Sequence, residues 1–345
     1  MVCRVVVASV DRDANPFAHL IGQTQAVTLL HRVVQQQRIA PGYLFVGPAG
    51  TGKSLAAMGF AQLLLRSKPR QQLEKGWVQG EVVLARRVRD RNHPDLLWIE
   101  PTYLHQGKLL TAAQAAEAGL KRKSPPRIRL PQVREIARFL SRPALEAERA
   151  VVVIEQGEKM AEGAANALLK TLEEPGRATL ILMAPDPQAL LPTLISRCQS
   201  IPFRRLNNEQ MALVLIRLGH AEILQSMEVM AIAQGSPGRA IDSWQQMQAL
   251  PAELLARLDS PPTRTRSALE IARDINQTLD TETQLWLLDY LQHRYWQYGL
   301  SQVSDLAALE KAREYLLAYV QPRLVWEVTL LALVKSSAKV SNAIR

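Results

Sequence analysis

Residues 47–54 read Gly47-Pro48-Ala49-Gly50-Thr51-Gly52-Lys53-Ser54, and the pattern G-x4-G-K-S is that of a loop that wraps phosphate. Glycines let backbone N–H groups turn inward and approach phosphate oxygens closely. Lys53 suits an ammonium placed between the β- and γ-phosphates of a nucleoside triphosphate. Ser54 suits a hydroxyl offered to magnesium at a helix N-terminus, where the dipole also favours anions. The alternative is an ordinary glycine-rich turn, and the elements on either side weigh against it. The loop alone does not say whether a bound triphosphate is split.

Those elements must hold the loop between a strand and a helix. A helical pattern starts at Ile21, with Ala26, Val27, Leu30, Val33 and Val34 on one face. Pro41-Gly42 ends it, and Tyr43–Val46 reads as a short buried strand running into the loop. Ser54–Leu65 follows as a helix rich in Ala, Leu and Met. Residues 66–130 read as a surface insertion of helices and loops. It carries an arginine run (Arg86, Arg87, Arg89, Arg91), a strand-like piece at Leu96–Ile99 and a basic stretch at Lys121–Arg129. Regular alternation then resumes: a helix at Pro131–Leu140, a buried strand at Ala150–Ile154, a helix at Gly163–Leu172, a strand at Thr179–Met183 and a helix near Pro187–Ile195. Such alternation predicts an α/β fold with a parallel sheet covered on both faces.

After Phe203 the sequence turns helical. Ser236 suits an N-cap and Pro237 the first position of a helix, and Asp259-Ser260-Pro261-Pro262 marks a break. In the tail, Leu285, Leu288, Leu291 and Tyr295 form one stripe. A last helix opening at Pro322 is read with Leu324, Val325, Val328, Leu331 and Ala332 facing inward. The expected domains are a leader (1–19), a nucleotide-binding α/β domain (20–205, with the insertion at about 66–130), a helical lid (206–258) and a helical collar that joins subunits (263–345).

The bulk composition constrains the class. The chain has 345 residues, 47% of them hydrophobic, and a formal net charge of +10, enough for more than one core and favouring an acidic partner such as nucleic acid. Only Cys3 and Cys198 are present, which excludes a disulfide framework and a four-cysteine zinc site and points to a reducing cytoplasm. No apolar run is long enough for a membrane span. The six histidines show no metal-ligand spacing, so zinc is not expected and His93 reads as structural.

Five segments, taken together, are far more specific than the loop. LIGQTQAV (20–27), YLFVGPAGTGKS (43–54), HPDL (93–96), ANALLKTLEEP (165–175) and LPTLISRC (191–198) resemble the bacterial clamp-loader branch of the AAA+ ATPases. Within that branch the likeness is to the delta prime type of DNA polymerase III subunit. The resemblance implies a hetero-pentameric ring with delta and gamma/tau subunits, a sliding clamp and primed DNA as partners, ATP or ADP with magnesium as ligand, and a role in DNA replication.

Against the pattern of the hydrolysing members this chain departs at three places. Their Asp-Glu at the end of a buried strand is Glu155-Gln156 here. Glu155 keeps a carboxylate for the metal, but the Gln156 amide cannot take a proton from water. Their polar residue after the next strand is Ala184-Pro185. Their arginine on the lid helix aligns with Gly238, with Arg239 one place later and turned by ~100° on a helix. The resemblance therefore implies a nucleotide-binding set of Gly47–Ser54, Glu155 and Arg239 with hydrolysis lost. The alternatives are that Glu158 replaces the base, or that the chain is an active gamma/tau-like ATPase. Ser196-Arg197-Cys198 matches the motif whose arginine reaches a neighbour's ATP, which makes Arg197 the catalytic candidate, in trans. Asn166, Lys170, Glu173 and Glu174 form a polar face open to DNA, a neighbour or solvent. The arginine run reads either as a DNA-phosphate contact or as a solvated face.

Overall fold

The computed structural model describes residues 15–66, 74–119, 125–297 and 303–343. Cys3, most of the expected leader and part of the basic stretch at Lys121–Arg129 lie outside the described residues. The chain divides into two compact units. The first comprises the described residues up to Ala116, with Pro126–Leu218 and Gly235–Gly238. The second comprises the described residues of 117–125, Gly219–Gln234 and the described residues from Arg239.

The first unit is built on a five-stranded parallel sheet. In chain order it holds α1 (Thr24–Gln35), β1 (Gly42–Val46), α2 (Lys53–Leu65), α3 (Glu74–Arg89), β2 (Leu96–Ile99), the hairpin strands β3 (Tyr103–His105) and β4 (Lys108–Leu110), and α4 (Ala112–Glu117). These are followed by α5 (Leu130–Leu140), β5 (Ala150–Ile154), α6 (Glu162–Glu173), β6 (Ala178–Ala184), α7 (Pro192–Ile195), β7 (Gln199–Pro202) and α8 (Asn208–Arg217). The sheet order is β2-β5-β6-β1-β7, so β1, which feeds the glycine-rich loop, lies between β6 and β7. β5 and β6 are buried along their whole length, as a sheet covered on both faces requires. One face packs through Tyr43, Phe45, Val151, Val153 and Ile181 onto α1 and α2. The other packs through Leu44, Val152, Ile154 and Leu180 onto α5 and α6.

Leu96–Ile99 is the strand that the sequence suggests, but the expected surface insertion around it needs correction. Rather than lying in such an insertion, the strand is edge strand β2, paired in register with Val151–Ile154. Helix α3 likewise buries Ala85 and Val88. β7, which completes the other edge of the sheet, was not foreseen, because Gln199-Ser200 offers no apolar pattern.

The second unit is helical: α9 (Met227–Ala233), α10 (Pro237–Ala249, whose first two residues belong to the first unit), α11 (Ala252–Leu258), α12 (Thr265–Thr278), α13 (Thr281–Gln297), α14 (Val303–Leu317) and α15 (Pro322–Ala343). Leu288, Leu291 and Tyr295 of the expected stripe are buried. On α15 the inward face matches the expected one only in part, at Val325 and Leu331. Val325, Trp326, Leu330 and Leu333 are buried, whereas Leu324 and Val328 are 51% and 56% exposed and Ala332 is exposed. This helix is apolar on several sides, so periodicity does not choose between faces. The choice is made by Trp326, whose Nε1 donates to buried Gln284 Oε1 at 2.9 Å.

Candidate functional site

The loop between β1 and α2 is fixed by its carbonyl groups. Each carbonyl from Gly47 to Thr51 accepts a hydrogen bond. Lys53 Nζ donates to Gly47 O and, at 2.7 Å, to Pro48 O. Thr51 Oγ1 donates to Pro48 O at 2.8 Å. Ser236 Oγ donates to Ala49 O at 2.6 Å, Gly238 N to Gly50 O at 3.1 Å, and Gln23 Nε2 to Thr51 O at 3.2 Å. Among the described residues all peptide bonds are trans, so N–H and C=O of one unit point opposite ways. Anchored carbonyls therefore preset the direction of the loop's N–H groups. Gly52 enters α2 with φ +97°, a conformation that a side chain would strain.

Gln23 was missed as a positioning residue. It lies in the LIGQ segment and is buried. Besides Thr51 it bonds Arg204 through both ends of its amide, Nε2 to Arg204 O at 2.7 Å and Oε1 from Arg204 N at 3.0 Å. Gly238, where the hydrolysing pattern has arginine, sits backbone to backbone on the loop. A Cβ there would lie 2.6 Å from Gly50 Cα, so any larger residue would displace one of the two segments.

At the end of β5 the structure brings Glu155 and Glu158 towards Lys53. Burial holds the Lys53 ammonium down at about 8, with Glu158 and then Glu155 opposing that shift. Burial likewise raises the carboxyl of Glu155, against the pull of Arg91 and a hydrogen bond from Trp98. Glu155 Oε1 accepts from Trp98 Nε1 at 2.9 Å and from Arg91 Nη2 at 3.2 Å. Arg91 Nη1 also reaches Glu100 Oε2 at 3.3 Å, and its guanidinium lies over the Trp98 ring, 4.5 Å from the centroid. Gln156 follows with φ +50°. Glu158 is raised by burial, and its Oε2 is buried without a hydrogen-bond partner.

Ser54 and Glu155 are the protein groups expected to face magnesium. The Ser54 hydroxyl lies 3.7 Å from Met183 Sδ, and its influence on the Glu155 carboxyl is a small lowering that burial outweighs. Glu155 Oε1 already takes a guanidinium and an indole N–H, and with that cation beside it this pair is a poor fit for a divalent cation. Among the described residues no group of three or more His, Cys, Asp or Glu side chains is arranged to hold a metal ion.

Arg197 follows α7, with a side chain 37% exposed. Its Nη1 donates to Thr193 O at 3.0 Å and its Nη2 to Glu173 Oε1 at 2.8 Å. Asn166, Lys170, Glu173 and Glu174 are all exposed. Arg239 belongs to the second unit, where its Nη2 lies 3.5 Å from Asp289 Oδ2. Ala184 ends β6, and its carbonyl accepts from Gly47 N at 3.2 Å.

The arginine run is divided between partners. Arg87 forks onto Glu146 at 2.6 and 3.1 Å, while Arg91 serves Glu155 and Glu100. His93 Nδ1 accepts from Asp95 N at 3.1 Å. Asp95 in turn accepts from the N–H groups of Leu145, Glu146 and Ala147 at 2.6, 2.8 and 2.7 Å. HPDL thus staples the segment that leads into β5.

A sheet of order β2-β5-β6-β1-β7 with a glycine-rich loop leaving its inner strand β1 defines a P-loop domain of the AAA+ class, here followed by helices. A profile described as "DNA polymerase III, delta subunit" matches residues 22–207, more than half of the chain, and one described as "Cyanobacterial DNA polymerase III delta prime, C-terminal domain" matches 209–333. The chain belongs to the delta prime family of DNA polymerase III subunits.

It is 33% identical over 186 residues to the DNA polymerase III subunit delta' of Bacillus subtilis (strain 168), covering 53% of this chain and 48% of that protein. It is 34% identical over 203 residues to the delta' subunit of Pseudomonas aeruginosa, covering 57% and 54%. The chain thus spans about half the length of the curated relatives it matches. Among solved structures, a gamma subunit-related protein of Thermotoga maritima aligns with a TM-score of 0.50 at 16% identity, over 90% of this chain and 99% of that one. That likeness speaks for the fold alone. No helix among the described residues is long and apolar enough to cross a membrane.

Proposed function

We propose that this chain is a nucleotide-holding, non-hydrolysing subunit of a clamp loader in DNA replication. The Gly47–Ser54 loop binds the phosphates of ATP or ADP. Arg197 completes the ATP site of a neighbouring subunit in a hetero-pentameric ring with delta and gamma/tau subunits, which places a sliding clamp on primed DNA in the cytoplasm. The observation that carries the loss of hydrolysis is Gln156. It stands at the strand end where attacking water needs a carboxylate, and an amide cannot accept that proton. Ala184-Pro185 and the tight Gly238–Gly50 approach support the same reading, since neither offers a donor to a γ-phosphate.

Glu158 favours a second reading, an active ATPase. Its carboxyl is raised by burial and retains a buried oxygen without a partner, the properties of a general base. Turnover separates the two. The isolated chain is expected to bind ATP and release no phosphate; turnover abolished by Lys53→Ala and by Glu158→Gln would establish the second reading instead. In the reconstituted ring, Arg197→Ala is expected to lower a neighbour's turnover by ~10³-fold or more, and an unchanged rate would remove Arg197 from that role.

A further inference from the structure

The Glu155 carboxylate already has a cation. Arg91 reaches it from the turn that follows α3, where Arg91 takes φ +55°, a left-handed conformation uncommon for a side-chain-bearing residue. The guanidinium uses both arms, one on Glu155 at 3.2 Å and one on Glu100 at 3.3 Å, and its face rests on Trp98. Trp98 donates to the same Glu155 oxygen. The register of β2 on β5 fixes this arrangement: Trp98 pairs with Val153, and Glu155 N donates to Ile99 O at 2.9 Å. Guanidinium suits such a place because it is planar, permanently charged and weakly hydrated. Magnesium does not, since it demands octahedral oxygen ligands and gives up water reluctantly.

We propose that Arg91 is the resident cation of this site, so that the nucleotide held by the Gly47–Ser54 loop is bound free of metal. The inference rests on the nucleotide-holding reading above. Arg91 neutralises Glu155, which would otherwise repel a polyphosphate, and it holds Oε1 of the carboxylate through which a protein-held magnesium would be anchored. Lys53 is left as the cation that meets the phosphates directly.

The test is calorimetric binding of ADP and of ATP to the full chain, first with magnesium and then with EDTA. Wild-type affinity is expected to change by less than about threefold between the two conditions. Arg91→Gln frees Glu155, and its affinity is expected to become magnesium-dependent by about tenfold, or about 1.4 kcal/mol. Adding Glu155→Gln to Arg91→Gln removes the freed carboxylate and is expected to abolish that magnesium dependence. Wild-type binding that requires magnesium would overturn the proposal while leaving the loop's role intact. Wild type that binds neither nucleotide in either condition, as Lys53→Ala is expected to behave, would overturn the nucleotide-holding reading and the proposal with it. If Arg91→Gln does not fold, the wild-type comparison with and without magnesium still decides.

Discussion

Replacing Gly238 with alanine probes the approach of α10's first turn to the phosphate loop. The new Cβ would meet Gly50 Cα at 2.6 Å and Gly50 O at 3.3 Å. Carbon atoms rest at about 3.5–4.0 Å, so about 1 Å must be found by moving backbone. The movement would stretch Gly238 N–H to Gly50 O and Ser236 Oγ–H to Ala49 O, now 3.1 and 2.6 Å. Overpacking of this kind costs about 1–3 kcal/mol, and one weakened hydrogen bond adds about 1 kcal/mol. Alanine recovers about 1 kcal/mol through helix propensity. The net is a loss of about 1–3 kcal/mol. Gly163→Ala on α6 is the control, because nothing lies within 4 Å of a Cβ there, so it is expected to be neutral or stabilising by up to about 1 kcal/mol. Urea unfolding of both variants reads the difference, and hydrogen exchange over residues 47–54 should rise in Gly238→Ala alone. A Gly238→Ala protein as stable as Gly163→Ala, with unchanged exchange in the loop, would refute the close-contact argument.

Three further outcomes are expected. Lys53 is held down at about 8 from an ordinary 10.5, and phosphate would raise it again. Nucleotide binding should therefore take up a proton above about pH 8, with affinity flat below that pH and falling above it; calorimetry in buffers of different ionisation enthalpy checks this. The unfolded chain keeps that proton to higher pH, so the Lys53 contribution to folding stability should rise between about pH 8 and 10.5, a slope that Lys53→Met removes in urea titrations. Asp95 is pushed up by burial but held below its ordinary 3.8 overall by the three N–H groups it accepts from. Its contribution is thus present above about pH 3.8 and lost as pH falls through the lower folded value. Asp95→Asn should cost about 2–3 kcal/mol at neutral pH and flatten the acid limb of the stability curve. Glu173→Ala should change stability by less than about 1 kcal/mol, since its pair with Arg197 is solvent-exposed, and in the reconstituted ring it should leave turnover undiminished.

What was legible in the sequence follows from the distance over which each feature is specified. The phosphate loop, its strand and its helix are set by neighbours a few residues away, and they stand where the sequence puts them, within one or two residues. The buried strands β5 and β6 were legible because runs such as Ala150–Ile154 have no other use than a covered sheet. The role of Arg91 was not. It depends on a left-handed turn at the end of α3 and on a carboxylate 64 residues away, so in the sequence Arg91 is simply one of four arginines in a basic run. Gln23 was hidden in the same way, because its partner Arg204 lies 181 residues further on.

The same reasoning bears on what an intact phosphate loop means. G-x4-G-K-S specifies a cradle through backbone geometry, and that geometry is held here by donors from Gln23, Thr51, Lys53, Ser236 and Gly238. None of those contacts involves a carboxylate, so the geometry of the loop does not depend on whether residue 156 is an acid or an amide. Glu155 illustrates the reverse case. A carboxylate stands at the strand end as the family pattern has it, yet Arg91 and Trp98 have already claimed it. Presence of the residue type and availability of its oxygens are different properties, and only the second supports metal-assisted hydrolysis. For this chain the decisive quantity is therefore the partner of each oxygen beside the loop, which is what the magnesium titration of wild type and Arg91→Gln reads.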